Sequence, residues 1–146
     1  MGKLTVIGTC LVLATQGVYA NCNSIREAVF SCPTAKGRRI EVCDLGQTIR
    51  YSFGKPKAKP EISVSVPKAK ATGLSCYTCG RYVTHSIDFP NGDTIYRVSW
   101  SADRLSEAGT IGGGVEVIIG AESKAVVWCN SEPAVGDLGG IKFSVE

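Results

Sequence analysis

Apolar and polar residues alternate with a period of two along most of the chain, which is the pattern of strands rather than helices. Ile40 and Val42 alternate with Arg39 and Glu41; Ile49, Tyr51 and Phe53 with Thr48, Arg50 and Ser52; Ile62, Val64 and Val66 with Glu61, Ser63 and Ser65. The same phase runs through Val83, Ile87 and Phe89, then Tyr96, Val98 and Trp100, then Val115, Val117 and Ile119, then Ala125, Val127 and Cys129. Strands with one apolar and one polar face suit antiparallel sheets that pack one side on a core. Turn residues separate the runs at Ala35-Lys36-Gly37, Leu45-Gly46-Gln47, Pro90-Asn91-Gly92-Asp93 and Gly120-Ala121-Glu122, with Asn91-Gly92 the strongest hairpin signal. Only Ser24 to Val29 reads as a helical turn; 130–140 reads as irregular, and Ile141 to Val145 offers a further edge strand. The expectation is an all-β fold, an antiparallel sandwich or small barrel of about eight short strands.

The first twenty residues break this pattern. A basic start at Lys3, an apolar run from Leu4 to Ala14 and small residues at Val18 and Ala20 read as a secretory signal peptide cleaved before Asn21. The run is shorter than the roughly 20 residues a membrane helix needs, and Gln16 and Gly17 interrupt it. Lipid anchoring is not expected either, since Cys22 follows Asn21 and Cys10 lies inside the apolar run. Cleavage leaves residues 21–146 as a single β domain, long enough to enclose a core. Loss of Lys3 leaves 15 basic residues against 13 acidic ones. So mild a balance gives no basic stripe for nucleic acid, and no nucleic-acid partner is expected.

Six cysteines remain after cleavage: Cys22, Cys32, Cys43, Cys76, Cys79 and Cys129. An even number in an exported chain points to disulfides. Cys32 and Cys43 bracket the first hairpin, Cys76 and Cys79 lie two residues apart, and Cys22 is left for Cys129. The expected set is therefore 22–129, 32–43 and 76–79, with 32–129 as the rival pairing.

Cys76-Tyr77-Thr78-Cys79, followed by the chain's one histidine at His85, admits two chemical readings besides a staple. A redox C-x-x-C places its leading thiol at a helix N-terminus, whereas Gly80 and then a strand pattern follow here. A structural zinc site needs four ligands, and Cys76, Cys79 and His85 supply three. Alternation puts His85 on the face of Val83 and Ile87, so a half-buried, hydrogen-bonded histidine is expected. The staple reading is preferred, with no metal and no cofactor.

Other chemistry is sparse. No G-x-S-x-G motif and no serine beside a base support acyl transfer, and the acidic residues Glu41, Asp44, Glu61, Asp88 and Asp93 read as surface charge. Gly112-Gly113-Gly114 precedes a strand rather than a helix, so it reads as a hinge or bulge instead of a phosphate loop. Lys55, Lys57 and Lys59 form one basic loop and Lys68 and Lys70 another, at opposite ends of the strand from Glu61 to Val66. They read as solvated loops, with anion binding by Lys55, Lys57 and Lys59 as the alternative.

Phe30 to Cys32, Val42 to Asp44, Tyr51 to Gly54, Pro60-Glu61, Gly80 to Tyr82, Pro90 to Gly92 and Cys129 together resemble small exported β-sandwich proteins of Gram-negative bacteria. More distantly, Cys79-Gly80-Arg81-Tyr82 is similar to the S-G-x-Y loop of the periplasmic lysozyme inhibitors, with cysteine in the serine position. That resemblance implies a protein partner contacted by Gly80, Arg81 and Tyr82. Steering toward cationic lysozymes favours an acidic inhibitor, which this chain is not. The leading expectation is an exported, non-enzymatic binding protein of the periplasm or the exterior, concretely an inhibitor of a cell-wall hydrolase. The alternatives are a thiol-disulfide or metal-handling protein built on Cys76, Cys79 and His85, and a binder of anionic envelope polymers through Lys55, Lys57 and Lys59.

Overall fold

The computed structural model describes residues 22, 27–107, 111–130, 135–136 and 138; the expected leader at 1–20 and the strand expected at 141–145 lie outside them. The strands are β1 (Ala28–Pro33), β2 (Arg39–Asp44), β3 (Thr48–Gly54), β4 (Ile62–Pro67), β5 (Thr72–Cys76), β6 (Tyr82–Asn91), β7 (Thr94–Asp103), β8 (Ile111–Ile119), β9 (Glu122–Trp128) and β10 (Val135–Gly136). They form two five-stranded sheets, ordered β10-β1-β2-β3-β4 and β5-β6-β7-β8-β9. All pairings are antiparallel, and neither sheet closes on itself, so the expected all-β fold is a sandwich. Two three-residue 3₁₀ turns, Ala35–Gly37 and Lys68–Lys70, connect strands, and no described residue is in an α-helix. No helix among the described residues is long and apolar enough to cross a membrane. Of the helical turn expected from Ser24 to Val29, Ala28 and Val29 belong to β1 instead.

The alternation read from the sequence is what fills the space between the sheets. Phe30, Cys32, Ile40, Val42, Ile49, Tyr51, Val64 and Val66 come from the first sheet, and Ile87, Phe89, Val98 and Val115 from the second, into one core. Tyr51 spans the gap, its ring 5.6 Å from Phe89 and 5.4 Å from Tyr96; burial pushes its phenol pKa above the ordinary value. A bulge at Val29 sets Ala28 opposite Cys43 and Phe30 opposite Val42. An extra residue in one strand reverses the facing of what precedes it, so Phe30 enters the core while Ala28 joins Cys22 and Cys43 in a small cluster of its own.

That geometry corrects the disulfide assignment. Cys76 and Cys79 pair as expected, but the other bonds are Cys22–Cys43 and Cys32–Cys129. Cys32 stands opposite Ile40 and points into the core, whereas Cys43 lies further along β2 and faces the other way. Side chains on opposite faces of a sheet cannot bridge. Cys32 instead reaches across the sandwich to Cys129, with Cα atoms 5.6 Å apart. Next to that bond, the Asn130 backbone N–H donates to the Pro33 carbonyl at 3.0 Å.

Two further expectations change. Glu41 was assigned to a polar surface, yet Glu41, Ser31 and Ser52, neighbours across three strands, are all buried on the far side of the first sheet. Gly112-Gly113-Gly114 is no hinge, since all three pair with β7 inside β8. A Cβ on Gly113 would lie 2.8 Å from Cζ of Phe30 and 2.8 Å from the Ser99 carbonyl oxygen, so a glycine is what lets the Phe30 ring seat. The hairpins follow turn chemistry: Gly92, the first residue between Asn91 and Thr94, has φ +63°, as a type II′ turn requires.

Candidate functional site

The chain leaves β5 at Cys76, closes a ring through the Cys76–Cys79 bond with Cα atoms 5.6 Å apart, and turns into β6 at Gly80. Gly80 has φ +73°, a left-handed conformation that glycine takes at least cost, and its N–H donates to the Thr78 carbonyl at 2.9 Å. Arg81 follows. Its Nε donates to both carboxylate oxygens of Asp103 at 2.9 Å, and Nη2 donates to Oδ2 at 2.5 Å. The hydrogen bond from Arg81 holds the Asp103 carboxyl below the usual carboxylate range, and the same bond raises the Arg81 pKa.

The neighbouring loop is fastened to the same point. Asp103 Oδ1 accepts from the Leu105 N–H at 3.0 Å, and the Arg104 N–H donates to the Arg81 carbonyl at 3.0 Å. Arg104 Nη1 donates to the carbonyls of Tyr77 at 3.2 Å and Gly80 at 3.4 Å. Around this clamp stand large exposed side chains: Tyr77 at 61%, Tyr82 at 47% and Leu105 at 75% of full exposure. The Arg81 guanidinium carbon lies 5.8 Å from the centroid of the Tyr82 ring.

His85 lies beneath the loop. It is buried on the inward face of β6, stacked at 5.5 Å on Trp100, with the edge of Tyr77 at 5.0 Å. Its Nδ1 is 2.9 Å from Ser75 Oγ. The expected hydrogen bond is present, but the histidine is buried rather than half-buried, because Trp100 and Tyr77 pack against its ring. Both sulfurs of the C-x-x-C are joined to each other, and no group of three or more His, Cys, Asp or Glu converges among the described residues.

Gly80, Arg81 and Tyr82 thus lie together, as the sequence placed them, but Arg81 is committed to Asp103. Tyr77 and Leu105 complete the exposed cluster, and the period-two reading missed both because each sits in a loop. Asp103 and Arg104 were missed for another reason: their roles depend on β7 ending beside the start of β6, Tyr82 opposite Asp103. The lysines are not brought together. Lys55, Lys57 and Lys59 are exposed on the loop before β4, while Lys68 and Lys70 lie beyond its other end, about 20 Å away at 3.3 Å per residue. Lys68 is held by Asp44 at 2.6 Å.

The chain matches no protein-family model, no curated protein and no solved structure in the comparisons made. The functional reading therefore comes from these residues.

Proposed function

We propose that this is an exported, non-enzymatic binding protein of the cell envelope that docks a protein partner through the disulfide-closed end of its second sheet. The observation that carries the reading is a set of three large exposed side chains, Tyr77 in the disulfide ring, Tyr82 at the start of β6 and Leu105 in the loop after β7, on backbone tied together by the Cys76–Cys79 bond and by Arg81 and Arg104. Tyrosine, with few rotatable bonds and one polar tip, is enriched among residues that dominate binding energy. A surface already ordered before contact loses less conformational entropy on binding. Three disulfides suit an oxidising compartment, and together with the leader-like N-terminus they support a periplasmic or secreted placement. The concrete version is inhibition of a cell-wall hydrolase, with Gly80 and Tyr82 at the cleft.

The test is lysis of purified peptidoglycan by a panel of lysozymes and lytic transglycosylases, with and without the oxidised chain. Inhibition that weakens at least tenfold in Tyr82→Ala, with unchanged urea stability, is expected. Inhibition that persists at full strength in Tyr77→Ala plus Tyr82→Ala would place the contact elsewhere. Failure to inhibit any member of the panel removes the hydrolase version.

A further inference from the structure

The outward face of the second sheet is a separate surface. Leu74, Ser86, Ser99, Gly114 and Trp128 are successive partners across all five strands. At a strand spacing of about 4.8 Å, Leu74 and Trp128 stand roughly 19 Å apart. Both are large and exposed, Leu74 at 55% and Trp128 at 68%, and everything between them is a hydroxymethyl group or a hydrogen atom. On one flank Cys76, Thr84, Ser101 and Gly112 make a second row of small residues. On the other flank Thr72, Asp88, Arg97, Glu116 and Val126 make a third. The result is a trough with apolar walls and a floor of hydroxyls, in which Ser86 lies deep at 5% exposure and Ser99, Thr84 and Ser101 are partly open to solvent.

Its parts are held in place. Arg97 Nε and Nη2 donate to the two oxygens of Asp88 at 2.7 and 2.8 Å, and Arg97 keeps 41% of its side-chain surface in solvent. At the far wall, the position a Cβ would take on Gly114 is 3.1 Å from Cε3 of Trp128. The indole therefore lies over a glycine that leaves it room, with the rest of its surface open. Toward the Leu74 end a cavity of about 360 Å³ opens among Thr72, Leu74, Thr84, Ser86, Asp88 and Arg97.

The chemistry of the trough selects its ligand. Serine and threonine hydroxyls both donate and accept, which matches a ligand that is itself rich in hydroxyls. Charge in the trough is balanced or slightly negative, with Asp88 and Glu116 around Arg97, so an anionic polymer finds no net attraction. The backbone groups of β6, β7 and β8 beneath the floor are used in the sheet ladder, so an extended peptide could pair only along the outer edges of β5 and β9 and not across this face. A permanent protein interface would have an apolar centre, whereas here the centre is the hydroxyl floor. An exposed indole beside such a floor offers a flat apolar face with polar groups at its margin, the complement of a sugar ring.

We propose that this face binds an uncharged glycan, with one sugar ring on Trp128 and the chain running across Ser99 and Ser86 toward Leu74. The proposal is independent of the protein-docking loop.

Chitotetraose, cellotetraose and maltotetraose serve as probes, titrated into the full oxidised chain while tryptophan emission is followed. Trp128 and Trp100 are the two tryptophans, and Trp128 is the more exposed, so a stacked sugar should quench the red-shifted part of the spectrum. Saturable quenching by at least one tetrasaccharide is expected, at least tenfold weaker in Trp128→Ala by calorimetry and largely kept in Trp128→Phe. The urea midpoint of each variant should match the parent. Absence of heat and quenching with all three sugars at millimolar concentration would overturn the proposal. So would equal affinity in Trp128→Ala, or binding of polyphosphate or an unstructured peptide at this face in place of the sugars.

Discussion

Replacing Cys32 and Cys129 together by Ala tests how much of this fold depends on closing a long loop. The bond joins residues 97 apart in sequence, and chain-entropy scaling gives about 4.7 kcal/mol for the denatured-state freedom it removes. By the same relation Cys22–Cys43, at separation 21, is worth about 3.3 kcal/mol, and Cys76–Cys79, at separation 3, about 1.6 kcal/mol. Domains of this kind have about 5–15 kcal/mol in all, so loss of the first bond consumes a third or more of the total. With a urea slope of about 1.5 kcal/mol/M, the midpoint should fall by about 3 M. Equilibrium unfolding of the three double-alanine variants, followed by far-ultraviolet circular dichroism, should rank them 32–129, then 22–43, then 76–79. A Cys32–Cys129 variant that loses less than the Cys76–Cys79 variant would refute the reasoning, because loop closure would then not set the order.

Gly113→Ala drives a methyl group against Phe30 and the Ser99 carbonyl, each 2.8 Å away, and should cost about 1–3 kcal/mol; a partial rescue by Phe30→Leu, measured by urea unfolding, would assign the cost to that contact. Ala121→Gly should stabilise by up to about 1 kcal/mol, since Ala121 holds φ +66° in the β8–β9 turn, and a fall in the thermal midpoint would contradict this. The Asp103 carboxyl has a lowered pKa in the folded protein, so its contribution is present at neutral pH and is lost as pH falls through the folded value, below the ordinary carboxylate range near 4. In Asp103→Asn the decline of the urea midpoint below about pH 4 should be shallower; an unchanged slope would exclude the Arg81 pairing as its source.

The alternation identified the inward face of nearly every strand, because one buried side enforces period two. It missed β1, whose bulge between Ala28 and Phe30 breaks the period of two, and β5, where Thr72, Gly73, Leu74 and Ser75 make an edge strand whose one large residue points to solvent. It also misjudged Glu41, since alternation distinguishes two faces but does not say whether the polar one meets water. Register was the larger gap. The polar residues of β6 and β7 could be read as outward, yet nothing local says that Ser86 lies beside Ser99, or that Trp128 stands at the end of their row. The one legible clue was Trp128 itself, a large aromatic in the polar phase of β9.

The glycine triplet and the Cys32–Cys129 bond answer one another. Three consecutive glycines in a strand give up side-chain packing and raise the entropy lost on folding, at about 0.5–1 kcal/mol each relative to alanine. Two of the three are required, one on each face of β8: Gly113 admits Phe30 to the core, and Gly114 leaves room for the Val127 carbonyl and the Trp128 indole outside, while a Cβ on Gly112 would meet only Ser101 Oγ at 3.8 Å. The weakened segment is secured from both sides by β7 and β9, and the Cys129 N–H donates to the Gly113 carbonyl at 3.0 Å. Cys129 is fixed inward by its bond to Cys32, and because side chains alternate along an extended chain, the residue before it must point outward. The disulfide that ties the two sheets together therefore also sets the direction of Trp128, so reducing it should release the indole from the trough along with the core.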